Sequence, residues 1–187
     1  MSNSSINEIL WTKHELISAS RGKDLTTKFL NNKKITGISI DTRSIEQNDL
    51  FIAIKGKNFD GHDFLEKAIQ KGASGVVVWC KDSAIRFNGL FVKNTHVALT
   101  NFAEFSRNRF KGKIIGITGS NGKTTTKDMA KIIFSEFGET FATPGNNNNI
   151  IGLSLSLMKL PSNFNFCIFL DVICEIVVRK KYNFIYS

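Results

Sequence analysis

At 187 residues the chain has room for one large domain or two small ones. Its hydrophobic share of 42% and charged share of 22% are ordinary for a soluble globular protein. The formal charge of +9 is scattered among acids, as in Lys55, Lys57, Asp60, Asp63, Glu66, Lys67 and Lys71, and the densest basic run is only Arg179-Lys180-Lys181; this argues against a nucleic-acid track and for a solvated surface or a site for a small anion.

The N-terminus, Met1-Ser2-Asn3-Ser4-Ser5, lacks a basic start followed by an apolar core, and no apolar run reaches bilayer length, so a cytoplasmic chain without membrane insertion is expected. Thr12-Lys13-His14-Glu15 fits a capping box opening a helix that Gly22 would stop. Two short strands are expected at residues 35–40 and 50–54, separated by the polar turn Asp41-Thr42-Arg43-Ser44. A helix over residues 62–71 would bury Phe64, Leu65, Ala68 and Ile69 and end at Gly72.

Short strands follow at residues 75–79 and 89–92, then a helix over residues 95–110 that would bury Val97, Leu99, Phe102, Ala103 and Phe105. Of the three cysteines, Cys80 and Cys167 lie in apolar surroundings that read as buried strand thiols, and with Cys174 they form no metal-ligand pair or disulfide framework. A domain boundary is expected near Lys111. Beyond it the pattern reads strand 113–118, helix 123–137, strand 140–142, a loop to Asn149, a helix to Leu160 and a strand at 166–170. In the helix after the first of these strands, Met129, Ile132, Ile133 and Phe137 form the face expected to pack on a sheet. Alternating strands and helices give an α/β fold: a small N-terminal α/β substrate domain (1–110), then an incomplete parallel-sheet ATPase domain of the phosphate-loop type (111–170), then a tail (171–187).

The strongest chemical signal is Gly116-Ile117-Thr118-Gly119-Ser120-Asn121-Gly122-Lys123-Thr124-Thr125, set between a strand and a helix. Glycines at 119 and 122 let backbone N–H groups approach a polyphosphate, and the helix N-terminus adds positive potential. Gly119, Ser120, Asn121, Gly122, Lys123, Thr124 and Thr125 are the candidate ATP-binding residues. Lys123 would reach the β- and γ-phosphates, and Thr124 would hold Mg²⁺. The general pattern wants glycine five residues before Gly122, where this chain has Ile117.

The run from Thr118 to Thr126 resembles the nucleotide loop of the Mur ligases, the ATP-dependent enzymes that build the peptidoglycan stem peptide. Asp41-Thr42-Arg43-Ser44, Asn48-Asp49-Leu50-Phe51-Ile52-Ala53, Gly56, Phe59-Asp60-Gly61-His62-Asp63-Phe64, Ala68 and Gly72-Ala73 resemble that family's UDP-sugar-binding domain. Gly145-Asn146-Asn147-Asn148-Asn149 with Ile151-Gly152-Leu153-Ser154-Leu155 is similar to the segment of the member that adds D-alanyl-D-alanine to the UDP-N-acetylmuramoyl-tripeptide.

The resemblance implies a mechanism. ATP phosphorylates the terminal carboxylate of the tripeptide, the dipeptide amine attacks the acyl phosphate, and phosphate leaves. It puts Lys123, Asn148 and Asn149 at the reacting end. Thr42, Arg43 and Ser44 would contact the UDP diphosphate, although the same residues also read as an Asp-capped turn with a solvated arginine. His62 would contact substrate or, equally, sit in a turn leading into a helix, with Asp60 as its cap. A monomer is expected.

The sequence departs from the family after residue 168. No glycine follows an acid in Asp171-Val172-Ile173-Cys174-Glu175, where the family has a metal-binding glutamate; Asp171 stands near that place. The expectation is therefore a truncated or frameshifted ligase lacking activity. A stand-alone nucleotide or UDP-sugar binding module is the alternative, and a basic nucleic-acid-binding protein ranks last.

Overall fold

A computed structural model describes residues 9–31, 33–119, 121–143 and 150–170. The chain divides into two compact units, Met1–Phe102 and Ala103–Ser187.

In the first unit, α1 (Lys13–Ser20) opens with the expected capping box. The Thr12 hydroxyl accepts the Glu15 N–H, and the Glu15 carboxylate accepts the Thr12 N–H at 2.9 Å. It closes one residue before Gly22, on Arg21 in the left-handed region (φ 53°), whose N–H donates to the Ser18 carbonyl. Trp11, just before the cap, is fully buried edge-on against Phe102, with ring centroids 5.6 Å apart.

The sheet of this unit comprises β1 (Lys23–Asp24), β2 (Gly37–Ser39), β3 (Asp49–Ile52), β4 (Gly75–Val78) and β5 (Leu90–Phe91), in the order β1-β5-β4-β3-β2. All neighbours are parallel except β1, which runs antiparallel to β5. Every residue of β3 and β4 is buried, as expected of central parallel strands covered on both faces. Phe51, Ala53, Leu65, Ala68, Val76, Val78 and Ala84 form one core around them.

The segment expected to be one helix from residue 62 is a 3-10 turn (Gly61–Phe64) running into α2 (Leu65–Gln70). Leu65 and Ala68 are buried there, but Ile69 is exposed. A further helix, α3 (Lys81–Arg86), has Cys80 at its cap. Cys80 is therefore half-buried at a helix start, not a strand thiol; the backbone and hydroxyl of Ser83 and the backbone of Asp82 pull its pKa down. In α4 (Thr95–Arg109), Leu99, Phe102 and Ala103 are buried, while Val97 is exposed.

The second unit contains β6 (Lys113–Ile117), α5 (Lys123–Ser135), β7 (Thr140–Ala142), α6 (Ile150–Met158) and β8 (Phe166–Leu170). Its three strands are parallel in the order β6-β8-β7, with Ile115 opposite Ile168 and Phe141 opposite Cys167. Leu153, Leu157, Leu160, Cys167 and Phe169 form the core with Ala103 and Phe110. Cys167 is the buried strand thiol expected.

Helix α5 packs on β7 and β8, but with a different face from the one expected. Met129, Ile132, Ile133 and Phe137 are 58–74% exposed. The sheet-facing stripe is Lys127, Ala130 and Phe134, and the Phe134 ring lies 4.9 Å from that of Phe166. Lys127 is buried despite its charge, because its stem lies along apolar surface while its ammonium donates to the Thr143 carbonyl at 3.1 Å. The other stripe is turned more than a quarter of the way around the helix from it, at a 3.6-residue period.

Asn148, Asn149, Ser120, Asp171 and the tail 171–187 lie outside the described residues. No helix among the described residues is long and apolar enough to cross a membrane.

Candidate nucleotide and precursor sites

In the second unit, β6 ends at Ile117, opposite Leu170 of β8, and α5 begins only six residues later. So short a connection between a strand and the helix after it demands unusual backbone angles. Gly119 takes φ 154° and Gly122 φ 75°. A Cβ on Gly122 would meet no atom within 4 Å, so the requirement there is the left-handed conformation and not space. Ile117, where the general pattern has glycine, is simply the last residue of the strand.

Gly122 caps α5 without any side-chain hydrogen bond, and the first turn contains no acid. The N–H groups of that turn therefore face outward with the positive end of the helix dipole behind them, which suits an anion. The first intrahelical bond runs from the Thr126 N–H to the Gly122 carbonyl at 2.9 Å. Lys123 folds back across the loop, its Nζ donating to the Gly119 carbonyl at 2.7 Å. That bond holds the ammonium above the turn with further donor capacity left. Asn121, Thr124 and Thr125 are exposed beside it.

In the first unit, a cavity of about 440 Å³ opens beside the turn after β2. This is within the size range of small-molecule sites. Thr42 and Arg43 line it, together with Asp41, Phe51, Ile54, Phe59, Phe64 and Lys67. The turn is tightly organised. The Ser39 hydroxyl donates to the Asp41 carbonyl at 2.9 Å, and the Ser44 hydroxyl donates to the same carbonyl at 3.1 Å. Ser44 is thus engaged inside the turn and does not line the cavity.

Arg43 is held in a fork by Asp41, with Nη2 2.6 Å and Nε 2.9 Å from Oδ2. The guanidinium and the Arg43 N–H hold the Asp41 carboxyl below its usual range, and the carboxylate raises Arg43 in return. The pair is largely exposed, and its net charge is zero.

His62 is held within the frame of the first unit. Its Nδ1 lies 2.7 Å from Asp60 Oδ1, and its Nε2 accepts the Trp79 N–H at 3.1 Å, which fixes Nδ1 as the protonated nitrogen. Both ring nitrogens are occupied, the ring stacks edge-on with Trp79, and it does not line the cavity. Burial tends to raise the Asp60 carboxyl, but the backbone and ring N–H of His62 outweigh it and leave the group lowered. Asp60 is the cap expected.

Phe59 and Lys67 line the cavity without being candidate site residues from the sequence. The available signals were a lone phenylalanine among turn formers and the i, i+3 spacing of Phe64 and Lys67, which puts both on one helical face.

Two family models cover these two regions: the Mur ligase family, catalytic domain, matches residues 34–107, and the Mur ligase middle domain matches residues 117–169. The chain belongs to the Mur ligases. It is 39% identical over 147 residues to a UDP-N-acetylmuramoyl-tripeptide–D-alanyl-D-alanine ligase of Synechocystis, a match covering 76% of this chain and 32% of that one. The corresponding Treponema pallidum ligase is 43% identical over 136 residues, covering 65% of this chain and 29% of the relative.

Among solved structures of Mur ligases, the Acinetobacter baumannii MurF superposes with a TM-score of 0.72 at 32% identity, over 86% of this chain and 35% of that one. MurF of Thermotoga maritima, solved in complex with ADP, gives a TM-score of 0.56 at 29% identity, over 72% of this chain and 31% of that one. The mixed α/β architecture with parallel sheets is that of the Mur ligases. The chain spans about a third of the length of the curated relatives it matches.

Proposed function

We propose that this Mur ligase chain holds the two phosphate-bearing reactants of an ATP-dependent ligation that joins D-alanyl-D-alanine to UDP-N-acetylmuramoyl-tripeptide in the cytoplasm. The observation that carries this reading is the loop between β6 and α5, with Lys123 closed over Gly119 and an uncapped, acid-free helix start. Residues 111–170 would hold the nucleotide and residues 1–110 the UDP-precursor.

In that role Lys123 would exchange the Gly119 carbonyl for phosphate oxygens, and the backbone N–H groups of the loop would hold the phosphate chain. The tripeptide's terminal carboxylate would take the γ-phosphoryl of ATP with release of ADP, the dipeptide amine would displace phosphate and give up a proton, and the chain's contribution would be positioning and charge neutralisation. Asn148 and Asn149 belong to the acyl end of this scheme. Thr42 and Arg43 would border the precursor's diphosphate from the turn after β2.

A divalent cation fits the loop as a ligand of Thr124, whose hydroxyl is exposed at the second residue of α5. No cluster of three His, Cys, Asp or Glu side chains exists among the described residues to hold an ion alone. That suits Mg²⁺, which is commonly shared with phosphate oxygens and water. Bound there, it would neutralise phosphate charge.

The test is calorimetric titration of the purified chain with ATP·Mg and with UDP-N-acetylmuramoyl-tripeptide, followed by a ligation assay with D-alanyl-D-alanine. Saturable binding of both ligands is expected. Binding without ligation would fit an inactive ligase and a nucleotide and UDP-sugar binding module alike, and binding of neither would contradict the assignment.

A further inference from the structure

The geometry points to Lys67 and Phe59 as the residues that recognise the uridine diphosphate group in the first-unit cavity, Lys67 through the charge of the diphosphate and Phe59 through the face of the base. This rests on the reading of that cavity as the precursor site.

A diphosphate needs net positive charge, and the obvious candidate does not supply it. Arg43 is bound in a fork to Asp41, so the turn presents a neutral pair at the cavity wall. Lys67 lines the same cavity from α2, is exposed, and has no ion-pair partner among the described residues. Lys71, one turn further on, is close enough for its charge to help keep the Asp41 carboxyl ionised.

Phe59 is 74% exposed and yet lines the cavity, with no part in the core. The segment carrying it is held in place: Lys55 and Asp60 form a β-bridge, the Gly56 N–H donates to the Phe59 carbonyl at 2.8 Å, and His96 Nε2 lies 2.9 Å from the Lys55 carbonyl. A solvent-facing ring on a held segment, at the wall of a cavity lined by Phe51, Ile54 and Phe64, gives a flat base an aromatic face to stack on.

The experiment titrates the whole 187-residue chain and its variants with UDP and with uridine, in the same buffer. Lys67→Gln is expected to weaken UDP about tenfold or more beyond any change for uridine, as the loss of a charge-assisted contact does, and Lys67→Arg to restore most of it. Phe59→Ala should weaken UDP and uridine alike, by about fivefold or more, with Phe59→Trp restoring both. Both side chains are exposed, so the unfolding midpoint should hold in every variant. UDP affinity unchanged in Lys67→Gln, or uridine weakened as much as UDP, overturns the role of Lys67. Unchanged affinities in Phe59→Ala overturn that of Phe59. If the unsubstituted chain binds neither ligand, the reading of the cavity as a precursor site fails, and this inference fails with it.

Discussion

The two candidate sites are built on opposite plans. The first-unit cavity is walled by side chains, and its most suggestive polar groups are already satisfied: Arg43 by Asp41, Ser44 by a backbone carbonyl, and His62 by Asp60 and Trp79. The second-unit loop is mostly backbone. Its positive-φ glycine and uncapped helix start leave N–H groups facing outward, and only Lys123 reaches over them. In the loop, Gly119, Gly122 and Lys123, which drew attention in the sequence, form the turn and the ammonium folded over it on which the proposed phosphate site rests. In the cavity, residue type alone is a poor guide, because a histidine or arginine beside a pocket is as readily part of its frame as of its lining.

The cores sharpen the same contrast. Leu157 is fully buried in the three-stranded unit, whereas Ile132 on α5 is 68% exposed. Leu157→Ala should cost about 2–5 kcal/mol, read as a lower unfolding midpoint. Equal stability in that variant would mean the second unit is not packed as described.

In the first unit, His62→Ala should cost about 0.5–1.5 kcal/mol, because it removes the ring N–H from the Asp60 carboxylate, which keeps the backbone N–H of residue 62, and takes the acceptor from the Trp79 N–H. Full stability combined with lost UDP binding would instead return His62 to ligand contact. A smaller effect is expected at Asp24. Burial tends to raise its carboxyl, but the Lys13 ammonium at 2.7 Å and the N–H groups of Phe29 and Thr26 outweigh it and hold the group below its ordinary value of 3.8. A depressed acid contributes stability that is fully present above the unfolded-state pKa and is lost as pH falls through the folded-state one. Asp24→Asn should therefore flatten the decline of stability below about pH 4. A variant that declines as steeply as the parent would remove Asp24 from the account. Ile132→Ala should change stability by less than about 0.5 kcal/mol; a loss like that of Leu157→Ala would show that the exposed face of α5 is packed after all.

Much of the fold was readable because its signals are local. The capping box at Thr12 and Glu15 set the start of α1, and β-branched runs marked β4 and β6. The glycines at 119 and 122 fixed the turn between β6 and α5. What escaped had no local signal. Strand β1 is only two residues long and exists through pairing with β5. Helix α3 spans six residues and has no side-chain cap, so the chain around Cys80 read as a continuation of the strand. The orientation of α5 was misread because four apolar residues outweighed one lysine in the pattern, whereas in the fold that lysine turns inward to the Thr143 carbonyl.

The site was legible to the same extent. The candidate phosphate loop was marked by glycine and lysine spacing. The roles of His62 and Arg43 depended on partners at positions 60, 79 and 41, which spacing does not reveal. Lys67 and Phe59 come to the cavity from separate elements, and only the folded chain brings them together.

The most direct test of the central claim is calorimetric titration of the chain and of Lys123→Ala with ADP and ATP in the presence of Mg²⁺. The account predicts saturable binding by the chain and at least about a tenfold loss in the variant, with an unchanged unfolding midpoint. Equal affinity in the two proteins would contradict it.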